Sequence, residues 1–256
     1  MITLSKVFVY PIKALPGVAL DSVEITQSGT LTHDRRWALV DKRGSLINGK
    51  NNKQIFLLRP SFDLQALTVR FCDNEEFSLE DANSLSDYFS DKLHQAIVLK
   101  EDKYQGFPDD MNASGPTIVS QASLEAVAAW YRGLSVDDVR ARFRINLEVS
   151  SVPAFWEDQI FQRNRNPKTI RIGQVAIQAS NPCARCSVPI KHPKSGLPYD
   201  NFYEIFINKR EHTRPEWTDV ECFEHWYRLS VNTRIPGSEA GGVIQLGDCV
   251  SLINTD

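Results

Sequence analysis

The sequence TIRIGQVAI, residues 169–177, alternates apolar and polar side chains on both sides of a glycine. Its apolar positions are Ile170, Ile172, Val175 and Ile177. Alternation with a period of two is typical of strands that bury one face, and a glycine between two such runs favours a turn or a bulge. The stretch therefore predicts two short strands that meet at Gly173-Gln174.

The same alternation returns near the start of the chain, within the first hundred residues and at the end. The apolar positions are Val18, Leu20, Val23 and Ile25 in the first group, Leu64, Leu67, Val69 and Phe71 in the second, and alternate residues of 243–252 in the third. The third group is interrupted by Gly247-Asp248, which again indicates two strands around a turn or bulge. Short strands in this number favour a barrel or a sandwich.

Helical spacing predicts two helices. The first is capped by Asn83 or Ser84, and the second is capped by Ser120 and ends before Gly133. Their apolar faces consist of Leu85, Tyr88, Phe89 and Leu93 in the first, and of Leu124, Val127, Ala128 and Tyr131 in the second. A few helices among many strands predict a β-rich α+β fold. Residues 102–112 are polar and rich in turn formers, which predicts a domain boundary or an ordered loop over a site.

Composition excludes several classes of protein. The chain has 256 residues, 42% of them hydrophobic, and a formal net charge of -3. This charge argues against a nucleic-acid or membrane-surface partner, which would require an excess of positive charge. Apolar runs fall well short of the roughly 18 residues that a membrane span needs. The first residues lack a basic segment ahead of an apolar run, so we expect a cytoplasmic protein.

The five cysteines are an odd number in a chain of this size, so we expect reduced thiols rather than a disulfide framework. Cys183 and Cys186 form a C-x-x-C sequence with prolines on both sides, which argues against regular structure there. Three chemical interpretations compete with an ordered loop of two inert cysteines. They are half of a zinc site, a thioredoxin-type dithiol, and a single thiolate that binds a soft metal or acts as a nucleophile.

The zinc and dithiol interpretations each lack a feature. A zinc site needs further ligands, and His192 with a distant Cys222 or Cys249 would form a weak set. A thioredoxin-type pair opens a helix within a βαβ unit, whereas prolines follow this pair. A single thiolate needs only a cation and backbone amides nearby to lower the pKa of the thiol, and Arg185 is such a cation.

Several short motifs occur in order along the chain, and most of them place a cation beside an apolar strand. They are YPIK (10–13), DRRW (34–37), SQASL (120–124), RFRIN (142–146), CARC (183–186) and GDCV (247–250). We interpret DRRW, RFRIN and GDCV as strands and SQASL as a helix start. Together the motifs resemble the MOSC family, named for the C-terminal domain of molybdenum cofactor sulfurase, and in particular its two-part members such as the mitochondrial amidoxime-reducing component.

The resemblance implies a fold, a cofactor and a metal ligand. The fold is an N-terminal β-barrel-like domain in residues 1–100 and a MOSC β-barrel domain with a few helices in residues 101–256, with the site between them. The cofactor is the molybdenum cofactor, in which a molybdopterin dithiolene holds the metal. The second cysteine of C-x-R-C ligates molybdenum in the family, which assigns that role, and the catalytic role, to Cys186. Cys183 is then a neighbour that does not bind the metal.

The resemblance also implies which residues bind the pterin and its phosphate. Cations suit the phosphate, with arginine as a planar, bidentate donor, while an amide and a hydroxyl suit the pterin. Arg185 supports either the thiolate or the pterin in this interpretation. The cofactor-binding residues implied are Lys13, Arg35, Ser114, Arg144, Asn146 and Arg185.

The leading hypothesis for function is a molybdenum-dependent oxidoreductase that reduces small N-hydroxylated compounds. No ferredoxin-like sequence follows Leu252, so we expect electrons from a separate ferredoxin-like protein or flavoprotein chain. The alternative is a carrier of molybdenum cofactor or sulfur without turnover, in which Cys186 acts as a nucleophilic thiolate. A third hypothesis is a β-rich interaction protein with an incidental C-x-x-C.

Overall fold

The computed structural model describes residues 1–161 and 168–253. Its strands are β1 (Thr3–Val9), β2 (Val18–Leu20), β3 (Ser22–Glu24), β4 (Trp37–Asp41), β5 (Ser61–Asp63), β6 (Thr68–Arg70), β7 (Glu76–Ser78), β8 (Ile97–Glu101), β9 (Ile118–Ser120), β10 (Leu147–Ser150), β11 (Thr169–Ile172), β12 (Val175–Ala184), β13 (Arg228–Arg234), β14 (Val243–Gln245) and β15 (Val250–Ile253). Its helices are α1 (Ala82–Leu93), α2 (Gln121–Ala129), α3 (Val136–Phe143) and α4 (Phe202–His212). The prediction of a β-rich α+β fold is confirmed.

One large mixed sheet dominates the molecule. Within residues 1–161 and 168–253 its eight strands follow the order β15-β11-β12-β13-β9-β10-β1-β2, and among these only β9 and β10 run parallel to each other. The predicted pair at 169–177 is the antiparallel hairpin of β11 and β12, in which Ile170 lies opposite Ile177. Gly173 in its turn has a φ of 57°, a left-handed conformation that glycine adopts without steric cost.

The large sheet curves until its β15 side approaches β1. Thr3 forms an isolated antiparallel bridge with Cys249, and the amide of Leu4 donates to the carbonyl of Asp248 at 2.9 Å. The amide of Val250 in turn donates to the carbonyl of Ile2 at 2.9 Å. The predicted pair of strands at 243–252 is present, but the two strands have different partners: β14 pairs with β3, and β15 pairs with β11.

The first half of the chain contributes both to this sheet and to a core of its own. Strand β1 pairs with β10 on one side and β2 on the other, and β3 pairs with β14. A separate apolar core lies between residues 12 and 99, where β4 pairs with β8, and β5, β6 and β7 form a second small sheet beside α1. A division at residue 100 stays a prediction, because the start of the chain is hydrogen-bonded to the strands of the second half.

Helix α2 is capped as predicted, because the Ser120 side chain accepts a hydrogen bond from the amide of Ser123. Helix α1 starts at Ala82 and is capped by Asp81, two to three residues before the predicted cap. Helices α3 and α4 were not predicted. The signal for α3 is the capping box of Ser135 and Asp138, which the short helix and its few apolar residues obscured.

Four strand predictions were wrong in their details. The RFRIN motif is no strand: its first two residues end α3, and Arg144 caps that helix in a left-handed conformation. In DRRW and GDCV only the last residue is in a strand, because turns occupy the preceding residues. Leu64 and Leu67 lie in the turn between β5 and β6. In each case polar or charged turn residues separate the apolar ones, and spacing alone did not show this.

The C-x-x-C sequence is more regular than the prolines indicated. Pro182 and Cys183 belong to the end of β12, whose register with β13 shifts on both sides of Pro182. A bulged strand tolerates a proline because the missing amide is not needed for the ladder at that point. Within the described residues, no helix has both the length and the apolar character needed to cross a bilayer.

Candidate functional site

A cleft of about 550 Å³ lies where the two halves of the chain meet. All seven residues predicted for the site line this one cleft. They are Lys13, Arg35, Ser114, Arg144, Asn146, Arg185 and Cys186. The structure therefore brings the predicted residues together, while their roles in binding a cofactor stay predictions.

Unusual backbone conformations bring the cations to the cleft. Arg35 and Arg144 have φ angles of 51° and 50°, and Ala14, which follows Lys13, has a φ of 74°. Residues other than glycine rarely adopt positive φ, and such strain concentrates at functional sites. Arg35 lies in the turn before β4, and Arg144 caps the C-terminus of α3, so each side chain is fixed by the end of a rigid element.

Arg144 is a partly buried cation of the cleft without a protein partner among the described residues. Its side chain is half-buried, and its guanidinium has no hydrogen bond or ion pair with any described residue. Burial lowers the pKa of Arg144, and the nearby charge of Arg35 lowers it further. A partly buried guanidinium without a partner is costly, and an anionic ligand would remove that cost.

Arg35 and Asn146 belong to one hydrogen-bonded network beneath the cleft. Arg35 is paired with the neighbouring Asp34, and its Nη1 lies 3.4 Å from Oδ1 of Asn146. Asn146 is fully buried, and its Nδ2 donates to the carbonyl of Phe8 at 3.1 Å. Because its Oδ1 also accepts from the amide of Thr117 at 3.2 Å, Asn146 joins β1, β9 and the Arg35 turn.

Tyr10 completes this network, and sequence reasoning did not identify it as a site residue. Its hydroxyl donates to the carbonyl of Ile145 at 3.1 Å, and its ring lies 5.3 Å from the guanidinium carbon of Arg35. Burial raises the pKa of Tyr10, so its phenol stays protonated and keeps donating. The signal was present in the YPIK motif, where a tyrosine precedes the proline.

Lys13 is held by the polar segment 102–112, which lies at the cleft as predicted for an ordered loop. Its Nζ lies 2.6 Å from Oδ1 of Asp109 and donates to the carbonyls of Phe107 at 2.8 Å and Pro108 at 3.2 Å. Desolvation by nearby atoms acts to raise the pKa of Asp109, but the charges of Lys13 and Arg35 outweigh it and lower that pKa. Asp109 was not among the predicted site residues.

Arg185 supports the C-x-x-C segment. Its Nε and Nη2 donate to the carbonyl of Leu229 at 3.1 and 2.8 Å, Nη1 donates to the carbonyl of Phe143 at 3.0 Å, and Nη2 also donates to Oγ of Ser230 at 2.7 Å. These contacts pin the loop to β13 and to the end of α3. They favour a supporting role for Arg185, and contact with a cofactor stays a prediction.

The two thiols of the loop differ in exposure. Cys186 is exposed, whereas Cys183 is half-buried and its Sγ lies 3.8 Å from the carbonyl of Ala184. Both line the cleft and both are free thiols. No three His, Cys, Asp or Glu side chains converge to hold a metal within the described part of the chain. A zinc site at the C-x-x-C loop therefore lacks a ligand set there.

Two further polar residues of the cleft, Asn181 and Asn232, were not predicted from the sequence. Nδ2 of Asn232 on β13 lies 3.3 Å from Oδ1 of Asn181 on β12, and both residues line the cleft beside the loop. Ser114, which was predicted, is half-buried, and its hydroxyl forms no hydrogen bond with the described residues. Nothing in the spacing of the two asparagines pointed to the site, because the bulge in β12 decides where Asn181 lies.

The charge of the cleft is opposite in sign to that of the chain. Of the residues that the structure describes, six cations and three carboxylates line it, although the formal net charge of the whole chain is -3. The cations are Lys13, Arg35, Lys50, Arg142, Arg144 and Arg185, and the carboxylates are Asp34, Asp109 and Asp110. A concave, positively charged surface on an acidic protein favours an anionic ligand.

The fold and cleft define a protein of two β-rich parts with a cationic site between them, and the exposed thiol of Cys186 lines that site. Comparison with known families identifies the class. A model of the MOSC N-terminal beta barrel domain matches residues 1–131, and a model of the MOSC domain matches residues 112–250. The chain therefore belongs to the MOSC family, which is associated with the molybdenum cofactor.

Individual relatives are distant. The chain is similar to molybdenum cofactor sulfurase of Drosophila yakuba, with 23% identity over 229 residues, 75% of this chain and 28% of that protein. It is also similar to mitochondrial amidoxime reducing component 2 of Bos taurus, with 29% identity over 99 residues, 38% of this chain and 28% of that protein. The matches thus cover less than a third of these relatives' lengths.

Among solved structures, the chain is similar to the YUAD protein of Bacillus subtilis. The similarity has a TM-score of 0.42 at 11% identity and covers 98% of this chain and 96% of that one.

Proposed function

We propose that the chain binds a molybdenum cofactor in the cleft and reduces N-hydroxylated compounds with electrons from a separate donor protein. The observation that carries the proposal is that an unpaired guanidinium, Arg144, and an exposed thiol, Cys186, line the same cleft. The first needs an anion and the second suits a soft metal. A molybdopterin with bound molybdenum carries an anionic phosphate and a soft metal on one molecule.

The residues present fit such a group. Arg144 would hold its phosphate, with Arg35 beside it, and Lys13, which contacts residues 107–109, would add a further positive charge. Ser114 offers an unused hydroxyl, and the Asn181–Asn232 pair offers amide groups for a heterocycle edge. Cys186 would ligate the metal. The cleft volume of about 550 Å³ lies within the range of cofactor sites in general.

The bound cofactor would supply two-electron oxygen-atom chemistry, and the chain's own residues prepare the site for it. Arg185 holds the backbone of the loop through the carbonyls of Leu229 and Phe143, which fixes the position of Cys186. Asn146 and Tyr10 tie the Arg35 turn to the segment before β10, so that cations from both halves keep their spacing. Cleavage of each N–O bond consumes two electrons and two protons and releases water.

The test is turnover by protein loaded with the cofactor. Reduced viologen dye should be oxidised only when an N-hydroxylated amidine is present, with the corresponding amidine formed in proportion to the dye oxidised. Oxidation of the dye at the same rate without the amidine, or no oxidation by protein that contains molybdenum, would contradict the reductase proposal.

A second candidate is a carrier of the cofactor or of sulfur, and the exposure of Cys186 favours it. An exposed thiolate can hold a persulfide and pass it to an acceptor. The two candidates separate in one experiment, in which loaded protein is mixed with an apoenzyme that needs the cofactor. Transfer of the cofactor without turnover supports the carrier, and turnover without transfer supports the reductase.

A further inference from the structure

All donors of Lys13 are taken by three consecutive residues of the segment over the cleft. An ammonium group has three N–H donors. In this structure Nζ of Lys13 contacts the carbonyls of Phe107 and Pro108 and the carboxylate of Asp109, at 2.8, 3.2 and 2.6 Å. No donor of Lys13 is left for a ligand while these contacts persist.

Residues 107–109, which we call the strap, also lie within the field of the other cations. The charges of Arg35 and Arg185, besides that of Lys13, act to lower the pKa of Asp109. The same carboxylate acts on the charge of Arg144. The Asp109 side chain therefore occupies the part of the cleft in which positive charge converges, where an anionic group of a ligand would bind.

Exposure decides which partner of this ion pair gives way. The side chain of Lys13 is 12% exposed, whereas that of Asp109 is 82% exposed. A nearly buried ammonium needs a counter-charge, but a carboxylate whose side chain is already largely exposed can leave the contact at little cost. The strap is anchored upstream, where the amide of Phe107 donates to the carbonyl of Arg35 at 2.8 Å. Gly106 makes that contact possible, since a Cβ there would lie 2.8 Å from the same carbonyl.

We propose that the strap is an internal competitor, in which Asp109 and the carbonyls of Phe107 and Pro108 hold Lys13 until a phosphate-like dianion displaces them. The inference rests on the proposed binding of an anionic ligand in the cleft. It adds regulation to that site. The apparent affinity for the ligand's anionic end equals the affinity of the open form multiplied by the fraction of molecules in which the strap is open. Opening of the strap is therefore coupled to ligand binding.

The test uses the full chain, produced in a host that does not make the cofactor, with inorganic phosphate as the probe. Isothermal titration calorimetry should show that Asp109→Asn binds phosphate about threefold to tenfold more tightly than wild type, because the competitor is weakened. Asp110→Asn is the matched control: it removes the same charge from the same segment, but its carboxylate caps the amide of Asn112 at 2.8 Å instead of meeting Lys13. Its gain should be clearly smaller.

Hydrogen exchange gives the second readout. Phosphate should speed exchange of residues 107–113 in wild type, since displacement frees the strap, whereas simple ligand stiffening would slow it. An equal gain in phosphate affinity in Asp109→Asn and Asp110→Asn would show that the effect comes from net charge alone, and it would contradict the strap proposal. Slower hydrogen exchange of residues 107–113 in the presence of phosphate would contradict it as well. Either result leaves the anion site intact, provided that Arg144→Met abolishes phosphate binding. If wild type and Asp109→Asn both fail to bind phosphate, the strap and the proposed anion site fail together.

Discussion

Two arginines of the cleft are in opposite situations. The guanidinium of Arg185 makes four hydrogen bonds to Leu229, Ser230 and Phe143, whereas that of Arg144 makes none with the described residues. Removal of a side chain that hydrogen-bonds buried groups, such as Arg185, lowers the free energy of unfolding, because those groups lose their partners. Removal of a partly buried charge without a partner, such as Arg144, does not, because that charge already destabilises the fold. Stability measurements can therefore separate the structural arginine from the one that waits for a ligand.

We predict that Arg144→Met leaves the free energy of unfolding unchanged or raises it by up to about 1 kcal/mol, since the substitution removes a partly buried charge that has no partner. Arg185→Met should lower it by about 2 to 4 kcal/mol, because it leaves two buried carbonyls without donors. Urea denaturation of both variants checks this. A loss of several kcal/mol in Arg144→Met would show that this guanidinium has a structural partner.

The two thiols give a sharper prediction about chemistry. Cys186→Ser should lower turnover of an N-hydroxylated amidine by more than about 100-fold, because a hydroxyl replaces the thiolate that ligates the metal. Cys183→Ser, the matched control three residues away, should keep most of the activity. Both variants are loaded with cofactor, supplied with reduced viologen dye, and compared in turnover and metal content. Equal losses would favour a dithiol pair, and full activity of Cys186→Ser would remove the proposed ligand.

Single residues of the site were predictable where a motif surrounds them. Lys13, Arg35 and Cys186 each belong to a short motif in order along the chain, and all line the cleft. Asp109 and Asn181 belong to none, because a strap contact and a β-bulge place them there. Such positions depend on tertiary contacts between distant segments, which local spacing does not encode.

At the scale of elements, the cations sit at the ends of regular structure. Arg144 caps α3, and Arg35 lies in the turn that precedes β4, both with left-handed backbones. Alternation of apolar residues predicted the β11–β12 hairpin, since both strands bury one face. RFRIN was wrongly interpreted as a strand, because two residues of a helix end, the cap Arg144 and two loop residues have the same apolar spacing as a strand. The capping box of Ser135 was the better signal.

Helix α2 rests on a buried carboxyl that should make stability depend on pH. Glu157 is 1% exposed and accepts hydrogen bonds from the amide of Ser120 at 3.2 Å and the hydroxyl of Ser123 at 3.0 Å. Burial, and then the neighbouring charge of Asp158, raises the pKa of Glu157 to about 7. A carboxyl with a raised pKa in the folded state stabilises most below its unfolded pKa, and this stabilisation is lost as pH rises through 7.

We therefore predict that Glu157→Gln flattens the fall of stability between about pH 4.5 and pH 7, a change of up to about 3 kcal/mol. Glu125→Gln, on the exposed side of α2, is the control and should keep the wild-type dependence. Thermal or urea unfolding as a function of pH provides the measurement. If the stability of Glu157→Gln still falls with pH as steeply as that of wild type, the pH dependence comes from another titratable group.

At the scale of the whole molecule, the site depends on both halves of the chain. Strand β1 lies in the large sheet beside β10, and its Leu4, Val7 and Val9 are buried in the main core. Alternation predicted a β-rich molecule and the family resemblance implied two parts, but neither predicted that the first strand joins the second part. Long-range pairing of this kind is set by the whole topology, and no local pattern reports it.

This arrangement predicts that residues 101–256 do not unfold cooperatively when produced alone, because β10 and the core lose β1. The intact chain should unfold in a single transition whose midpoint rises when the cofactor is bound. Circular dichroism during heating compares the fragment with the intact chain. A fragment that unfolds cooperatively near the midpoint of the intact chain would contradict a site shared between the halves. The same holds if the midpoint of the intact chain does not change when the cofactor is bound.

The central claim is that the cationic cleft and Cys186 together hold a molybdenum cofactor. Elemental and pterin analysis of the wild-type chain, purified from a host that makes this cofactor, tests it most directly. We predict molybdenum and a releasable pterin in comparable amounts, with the pterin lost in Arg144→Met while that variant stays folded. Well-folded wild-type protein from the same host that contains neither molybdenum nor pterin would contradict the account.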